Sequence, residues 1–248
     1  MRPNLLVLGG TTEATALAQA LNAGGYRAVF SYAGRVATPK VQPLETRIGG
    51  FGGVAGLVAY LRDKGITHVV DATHPFAAGM SRNAAAACAE TGVALIALSR
   101  PEWRAVAGDN WTHVPDIAGA VAALGGARRR VMLAIGKLHL DAFGVHPQHH
   151  YLLRLIDEPG GALPFPDCRA VIAQGPFTHA GDLALLRDNR IDLLVSKNAG
   201  GSAARAKIDA ARDLGIGVIM IDRPALPDRP EVAQVGAVLD WVARTSDG

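Results

Sequence analysis

Short apolar runs alternate with longer segments rich in alanine and leucine along almost the whole chain, and this alternation limits the folds open to it. The runs are only a few residues long and almost uninterrupted by polar residues, which is typical of parallel strands covered on both faces. They lie at residues 5–8, 28–30, 68–70, 94–98, 131–135, 152–156, 170–173, 193–195 and 218–221. Helices are predicted between them at residues 12–23, 53–64, 77–91, 116–125, 179–189 and 201–214, with a last one at 231–243. This order predicts an α/β fold with mainly parallel sheets.

Two stretches, residues 70–101 and 194–224, have similar sequences and the same order of strand, helix and strand. In each, the second strand follows a glycine suited to a helix C-terminus, Gly92 or Gly215, and the stretch closes on Arg-Pro. Chance similarity is the alternative, but a repeat half a chain apart favours two similar Rossmann-like halves. The turn-rich residues 102–110 divide them, so we expect domains at residues 1–104 and 105–248, with a ligand cleft between them.

Composition excludes several classes of protein. Of the 248 residues 49% are hydrophobic and 19% charged, which excludes a disordered chain. The net charge of +3 does not indicate a nucleic-acid partner, although the first 100 residues contain nine Lys and Arg against five Asp and Glu. Two cysteines suit a reducing compartment and no metal site is predicted; no apolar run approaches the ~18 residues of a membrane span. We therefore expect a cytoplasmic protein with no membrane partner.

The first strand runs into a glycine turn, Gly9-Gly10-Thr11-Thr12-Glu13, at the predicted start of a helix. Glycines let the backbone approach a phosphate, and the N–H groups at a helix N-terminus attract an anion. The turn lacks the second and third glycines of the full G-x-G-x-x-G fingerprint, so an ordinary strand–helix turn is the alternative. Its place after the first strand favours a dinucleotide site, with residues 1–104 as the cofactor-binding domain.

The end of the second strand contains Ser31, Gly34 and Arg35, and no acidic residue occurs from 14 through 44. A site for NAD usually has Asp or Glu here to bind the ribose hydroxyls. A serine hydroxyl and a guanidinium suit the additional phosphate of NADP instead. The sequence therefore favours NADPH over NADH as the cofactor.

A third segment, residues 71–77, follows the strand at 68–70 and places Thr73, His74 and Pro75 at the opening of the next helix. Pro75 fits a first helical turn. Thr73 and Pro75 are predicted to contact the cofactor, and His74 to bind an anion or supply a proton. Simple capping of the helix by Thr73 and His74 is the alternative.

The second half has polar residues at the corresponding strand ends. Lys197 is a second candidate for proton transfer, and the residues expected to bind substrate are Arg100, Lys137, Arg154, Gln174, Ser196 and Asn198. A charge within a strand, as at Arg154, is unusual unless it faces a partner or ligand. Helix capping explains Asn198 equally well.

Six segments together resemble the precorrin-6A reductase family of cobalamin (corrin) biosynthesis. They are residues 8–13, 71–77, 100–103, 174–177, 196–201 and 219–224, in the family's order over nearly the whole chain. Ala199 departs from the serine expected in many relatives. The resemblance implies NADPH-dependent reduction of a ring double bond of precorrin-6A, giving precorrin-6B, and the cations of the strand ends suit a macrocycle with many carboxylates.

Two other functions remain open from the sequence. One is another NAD(P)-dependent reductase of a carboxylated small molecule, and the other is a non-catalytic protein that binds NADP or a corrinoid. Monomer and homodimer are both compatible with the sequence.

Overall fold

The computed structural model describes residues 2–34 and 39–246, which form two six-stranded sheets in which all strand pairs are parallel. The first part of the chain contains β1 (Asn4–Leu8), α1 (Thr12–Ala23), β2 (Arg27–Tyr32), β3 (Glu45–Ile48), α2 (Gly53–Asp63), β4 (His68–Asp71), α3 (Ala78–Thr91) and β5 (Ala94–Leu98). The predicted α/β class with two Rossmann-like halves is confirmed.

The second sheet begins with β6 (Trp111–Val114). It is followed by α4 (Ile117–Ala123), β7 (Arg130–Ala134), two short 3₁₀ helices (Lys137–His139 and Asp141–Val145), β8 (His150–Leu155), β9 (Cys168–Ile172), α5 (His179–Asp188), β10 (Leu193–Lys197), α6 (Ala206–Asp213) and β11 (Gly217–Ile221). The chain then forms β12 (Glu231–Val232) and α7 (Val235–Ser246).

The two sheets have corresponding strand orders, β12-β5-β4-β1-β2-β3 and β6-β11-β10-β7-β8-β9. The repeated stretches are β4-α3-β5 in one sheet and β10-α6-β11 in the other, at equivalent positions. The edge strand beside β5 comes from the end of the described chain, whereas β6, which follows β5 in sequence, is the edge strand beside β11. The two units therefore consist of residues 1–101 with 225–248, and residues 102–224.

This division differs from the domain boundaries expected from the sequence at the C-terminal end. Residues 225–248 were expected in the second domain, but they belong to the first unit. The reason is physical: β12 pairs with β5, and α7 packs its buried Val238 and Val242 against the first sheet. A two-residue strand in a proline-rich segment has too little periodicity to reveal this pairing.

Alternation along β1 explains how the first sheet is covered on both faces. Leu5 and Val7 lie in one core with residues of α1 and α7, while Leu6 and Leu8 lie in another with residues of α2 and α3. All four side chains are buried, as expected of a central parallel strand. The polar groups of this unit are consequently concentrated at the ends of its strands.

An ion pair connects the segment directly before β12 to the end of β4. Arg229 donates to the carboxylate of Asp71, whose side chain is 1% exposed, and the other carboxylate oxygen accepts from the backbone N–H and hydroxyl of Thr73. Removing one member of a buried pair is strongly destabilising because the other charge stays desolvated. Arg229 therefore holds both the segment before β12 and the loop after β4.

A second connection to the C-terminal helix passes through His68. Its ring nitrogens bond the hydroxyls of Thr67 (2.7 Å) and Thr245 (2.9 Å), and its ring packs edge-on against Trp241. Burial lowers the pKa of His68 from its ordinary 6.5, because the imidazolium loses hydration there.

None of the described helices is long and apolar enough to cross a bilayer.

We expect Arg229→Ala to lower the free energy of unfolding by about 3–5 kcal/mol, since it leaves the Asp71 carboxylate buried without its cation. Urea denaturation measures the change. Arg244→Ala is the matched control, because Arg244 is exposed on α7 and its removal is expected to change stability by less than about 0.5 kcal/mol. Equal effects of the two substitutions would contradict the role given to Arg229.

The depressed pKa of His68 predicts a loss of stability in mild acid. The unfolded chain binds the proton more readily than the folded one, so the contribution is present above about pH 6.5 and is lost as the pH falls through the folded pKa. In His68→Gln this contribution is absent. Urea unfolding at several pH values between about 5 and 8 should therefore show a smaller decline for the variant; parallel profiles would refute the assignment.

Candidate functional site

The two glycines after β1 serve different physical purposes. A Cβ built on Gly9 would lie 2.1 Å from ring carbon Cζ of Phe30, so only glycine lets that ring pack in the core. Gly10 has a φ of +124°, a conformation L side chains rarely adopt, and no heavy atom lies within 4 Å of its Cβ position. The turn therefore has a tightly packed side at Gly9 and an open side at Gly10.

Thr11 caps α1 and ties the glycine turn to the neighbouring strand. Its hydroxyl accepts from the backbone N–H of Ala14 (3.1 Å) and donates to the carbonyl of Ala72 (2.9 Å). The side chain is thus committed to the fold. Thr12 and Glu13 are in the first turn, where backbone N–H groups have no carbonyl acceptor within the helix, and an anion at this terminus would use that of Thr12.

Glu13 and Arg100 form a charged pair beside that terminus. Arg100 Nη1 donates to Glu13 Oε2 at 2.9 Å, and the Thr12 hydroxyl donates to the same oxygen at 3.0 Å. Burial opposes ionisation of Glu13, but its own backbone N–H, Arg100 and Thr12 outweigh burial and hold its pKa below the ordinary value. Arg100, expected from the sequence to bind substrate, therefore lies next to a residue expected to bind cofactor.

The ends of β2 and β3 bring a further arginine to this side of the first sheet. Ser31 is opposite Arg47 in the strand register, and Arg47 Nη1 donates to the Ser31 hydroxyl at 2.9 Å. Gly34 has a φ of +74°, and its Cβ position is 3.6 Å from Cα of Gly49. Arg35 lies outside the described residues.

Arg47 is a residue that sequence reasoning missed. Its strand, β3, has only four residues and is largely exposed, so it lacks the apolar run that marks the buried strands. The only signal at residue 47 is an arginine two positions before the pair Gly49-Gly50, which is typical of a strand end.

The loop after β4 is held by its own polar residues. Thr73 donates its hydroxyl to Asp71 at 2.7 Å rather than capping α3, whose N-cap, Ala77, makes no side-chain bond. Pro75 lies in a turn before the helix, not in its first turn as expected from the sequence. The helix begins later because His74 to Ala77 form a tight turn of their own, closed by the backbone bond from Ala77 to His74 (2.7 Å).

His74 is oriented by a bond to the backbone. Its Nδ1 accepts from the N–H of Phe76 at 3.2 Å, so the neutral ring carries its proton on Nε2. Protonation of Nδ1 would break that bond. The arrangement therefore suits His74 to donating a hydrogen bond from Nε2 more than to releasing a proton.

Two lysines lie at neighbouring strand ends in the second unit. Lys197 is the last residue of β10, and Lys137 follows β7, the strand paired with β10. Lys137 is exposed and Lys197 half-buried, and Gln174 is exposed after β9, the outermost strand on that side. Carboxyl ends of adjacent parallel strands share one edge, so both ammonium groups belong to the same edge of the sheet.

Asn198, a predicted substrate ligand, uses its amide to hold Trp103. Its Oδ1 accepts from the Trp103 backbone N–H (2.8 Å), and its Nδ2 donates to the Trp103 carbonyl (3.1 Å). The indole of Trp103 donates to the carbonyl of Gly201 at 2.6 Å. Ser196 is fully buried, and its hydroxyl donates to the Lys197 carbonyl at 3.3 Å.

Arg154, another predicted substrate ligand, has a buried partner instead. Its guanidinium donates to Asp182 of α5, and its Cζ lies 4.1 Å from the centroid of the Phe177 ring. Both side chains of the ion pair are less than a tenth exposed. A charge inside a strand is thus accommodated by a paired charge, which sequence spacing does not reveal.

A half-exposed His–Asp pair joins β6 to the residue that follows β11. His113 Nδ1 lies 2.6 Å from Oδ1 of Asp222, just beyond β11. Sequence reasoning missed His113, because β6 is another short strand without an apolar run. Among the described residues no group of three or more His, Cys, Asp or Glu is arranged to hold a metal ion.

Comparison with known proteins gives consistent matches over nearly the full length. Residues 4–243 match the family described as precorrin-6x reductase CbiJ/CobK. A precorrin-6A reductase of Rhodobacter capsulatus is 64% identical over 96% of this chain and 95% of that protein, and one of Sinorhizobium sp. is 51% identical over 98% and 93%. A solved structure titled CobK precorrin-6A reductase aligns with a TM-score of 0.94 at 63% identity, covering 98% of this chain and 96% of that one.

Because Asn198 forms two hydrogen bonds with the Trp103 backbone, replacing it is expected to destabilise the fold. Asn198→Ala leaves a buried N–H and a buried carbonyl without partners, and we expect it to lower the free energy of unfolding by about 2–5 kcal/mol. Gln174→Ala removes the same amide from an exposed position and is expected to change stability by less than about 0.5 kcal/mol. Thermal and urea unfolding measure both changes. If Asn198→Ala leaves the free energy of unfolding unchanged, the structural role is wrong and Asn198 is again a candidate for substrate binding.

Proposed function

The chain belongs to the precorrin-6x reductase family, and we propose that this oxidoreductase reduces one ring double bond of precorrin-6A with NADPH, giving precorrin-6B. The observation that carries the proposal is the glycine turn at the start of α1, open at Gly10, in a chain that matches the family over residues 4–243. Both cysteines are unpaired thiols, which supports a reducing compartment such as the cytoplasm as the place of the reaction.

The residues of the first unit fit a dinucleotide. A methyl group on Gly10 would occupy the open side of the turn, and the Thr12 N–H at the start of α1 is assigned to the pyrophosphate. Gly34 and Arg35 are assigned to the adenosine ribose and its phosphate, whereas Ser31 is buried and its hydroxyl bonds Arg47. Thr73 and Pro75 are assigned to the cofactor from the loop after β4. When bound there, NADPH supplies the hydride.

Glu13 and Arg100 give this site its charge balance. An ionised carboxylate at the helix N-terminus would repel a pyrophosphate, and the Arg100 guanidinium at 2.9 Å offsets that repulsion. We assign Arg100 to the cofactor side on this ground. Its role is to keep the α1 terminus electrostatically favourable for an anion.

Substrate recognition is assigned to the edge of the second sheet. The substrate carries many carboxylates, and Lys137 and Lys197 supply cations at adjacent strand ends, with Gln174 as a neutral donor. Three predicted substrate ligands support this edge and do not contact the substrate, because their polar groups form hydrogen bonds within the protein. They are Arg154, Ser196 and Asn198.

The reaction needs a proton in addition to the hydride, delivered to the neighbouring carbon of the reduced double bond. Lys197 and His74 are the candidates. The ammonium of Lys197 is itself an acid, whereas the Nδ1 of His74 is engaged by Phe76. We assign proton transfer to Lys197 and hydrogen bonding through Nε2 to His74.

Anaerobic incubation with precorrin-6A and NADPH tests the function. We expect NADPH oxidation in step with a change in the macrocycle's absorbance and a product about 2 Da heavier, since one hydride and one proton are added. Oxidation of NADPH with a different carboxylated substrate only would indicate another reductase. Cofactor binding without any substrate-dependent oxidation would indicate a non-catalytic protein.

Matched lysine variants separate substrate binding from cofactor binding. Replacing Lys137 and Lys197 together by alanine is expected to raise KM for precorrin-6A about tenfold or more, because two charged contacts are lost, with NADPH affinity unchanged. Lys64→Ala, at an exposed position in the first unit, is the control. An unchanged KM would contradict the assignment of the substrate to this edge of the second sheet.

A further inference from the structure

Arg47 is a partly buried cation without a charged partner in the part of the chain that the structure describes. No ion pair joins it to a carboxylate of residues 2–34 or 39–246. Instead its guanidinium donates to three neutral oxygens: the Ser31 hydroxyl (2.9 Å), the Gly49 carbonyl (2.9 Å) and the Gly50 carbonyl (3.2 Å). A flat, uncompensated positive group held in this way can attract an anion.

The aromatic ring beneath it fixes the plane of the guanidinium. Cζ of Arg47 lies 3.8 Å from the centroid of the Phe51 ring and 5.3 Å from that of Tyr60. Stacking on Phe51 and three hydrogen bonds leave the group little rotational freedom. An anion that binds Arg47 therefore meets a preorganised partner and loses less conformational entropy on binding.

The bonds leave a particular pair of donors unused. A guanidinium has five N–H groups, of which the two on Nη1 and one on Nη2 are taken by Ser31, Gly49 and Gly50. The two N–H groups left unused are on Nε and Nη2. These are the nitrogens with which an arginine binds two oxygens of one phosphate side by side.

The position of Arg47 in the sheet indicates which phosphate. It faces Ser31 in register at the end of β2, where a Rossmann-like half binds the adenosine ribose. Ser31 itself is 4% exposed, so its hydroxyl holds Arg47 and has little surface for a ligand. Among the described residues, Arg47 is the only arginine whose guanidinium bonds to the end of β2.

We propose that Arg47 binds the phosphate on the adenosine ribose of NADPH through its Nε and Nη2 donors, and thereby sets the preference for NADPH over NADH. The inference rests on the proposed function and adds a residue that the sequence pattern at 31–35 does not contain. Ser31 acts as the positioning residue, since it binds the guanidinium from the side opposite the proposed ligand contact.

Nucleotide fragments test this without turnover. Calorimetry compares 2′,5′-ADP with 5′-AMP, which differ only by the phosphate in question, on the purified full chain. Arg47→Gln is expected to weaken 2′,5′-ADP about tenfold or more while 5′-AMP binding stays within about twofold. Arg47→Lys keeps the charge but not the two-donor edge, and an intermediate loss is expected. Arg62→Gln, an exposed arginine of the same unit paired with Glu90, is the matched control and should leave both affinities unchanged.

The outcomes separate the possible failures. Equal weakening of both fragments by Arg47→Gln would show that Arg47 only supports the fold and would overturn the inference, as would no change in either. If Arg47→Gln does not fold, the ratio of the two affinities in Arg47→Lys decides instead. A wild-type chain that binds NADPH and NADH equally would refute the proposed cofactor itself, whereas a preference for NADPH that survives in the Arg47 variants would refute only the role of Arg47.

Discussion

The first sheet depends on a segment that the chain adds only after the second sheet is complete. β12 pairs with β5, and α7 covers one face of the sheet, so residues from both ends of the described chain share a core. Asp71 and Arg229 fix this return at the end of β4. The same carboxylate binds Thr73, and the loop that contains His74 is thus shaped by a contact that also closes the fold.

Several polar residues that the sequence predicts to bind cofactor or substrate form hydrogen bonds within the protein instead. Thr11 caps α1 and bonds Ala72, Asn198 holds Trp103, and Arg154 pairs with Asp182. Exposed residues such as Gly10, Lys137 and Gln174 lie at strand ends and glycine turns. A motif identifies a family because it contains both residues that support the fold and residues that can contact a ligand. Which of the two a given residue does follows only from its hydrogen bonds.

The sequence predicts what depends on periodicity and local chemistry. α1 begins where expected because Thr11 caps it and ends where expected, before Gly24, and the buried strands are visible as apolar runs. Strands β3, β6 and β12 were not predicted, because they are short edge strands with exposed residues. The site follows the same division. The glycine turn is readable locally, whereas Arg47 requires the pairing of β3 with β2, and the partner of Arg154 lies 28 positions away on α5.

The exchanged edge strands also impose an order on biosynthesis. As the polypeptide emerges from the ribosome, residues 102–224 can complete their sheet while the earlier half still lacks its outer strand and a covering helix. Until β12 and α7 emerge, the backbone of β5 presents an unpaired edge, the kind of surface through which nascent chains associate wrongly. The proline-rich stretch before β12 restricts the conformations of that late segment, so less conformational entropy is lost when it pairs with β5.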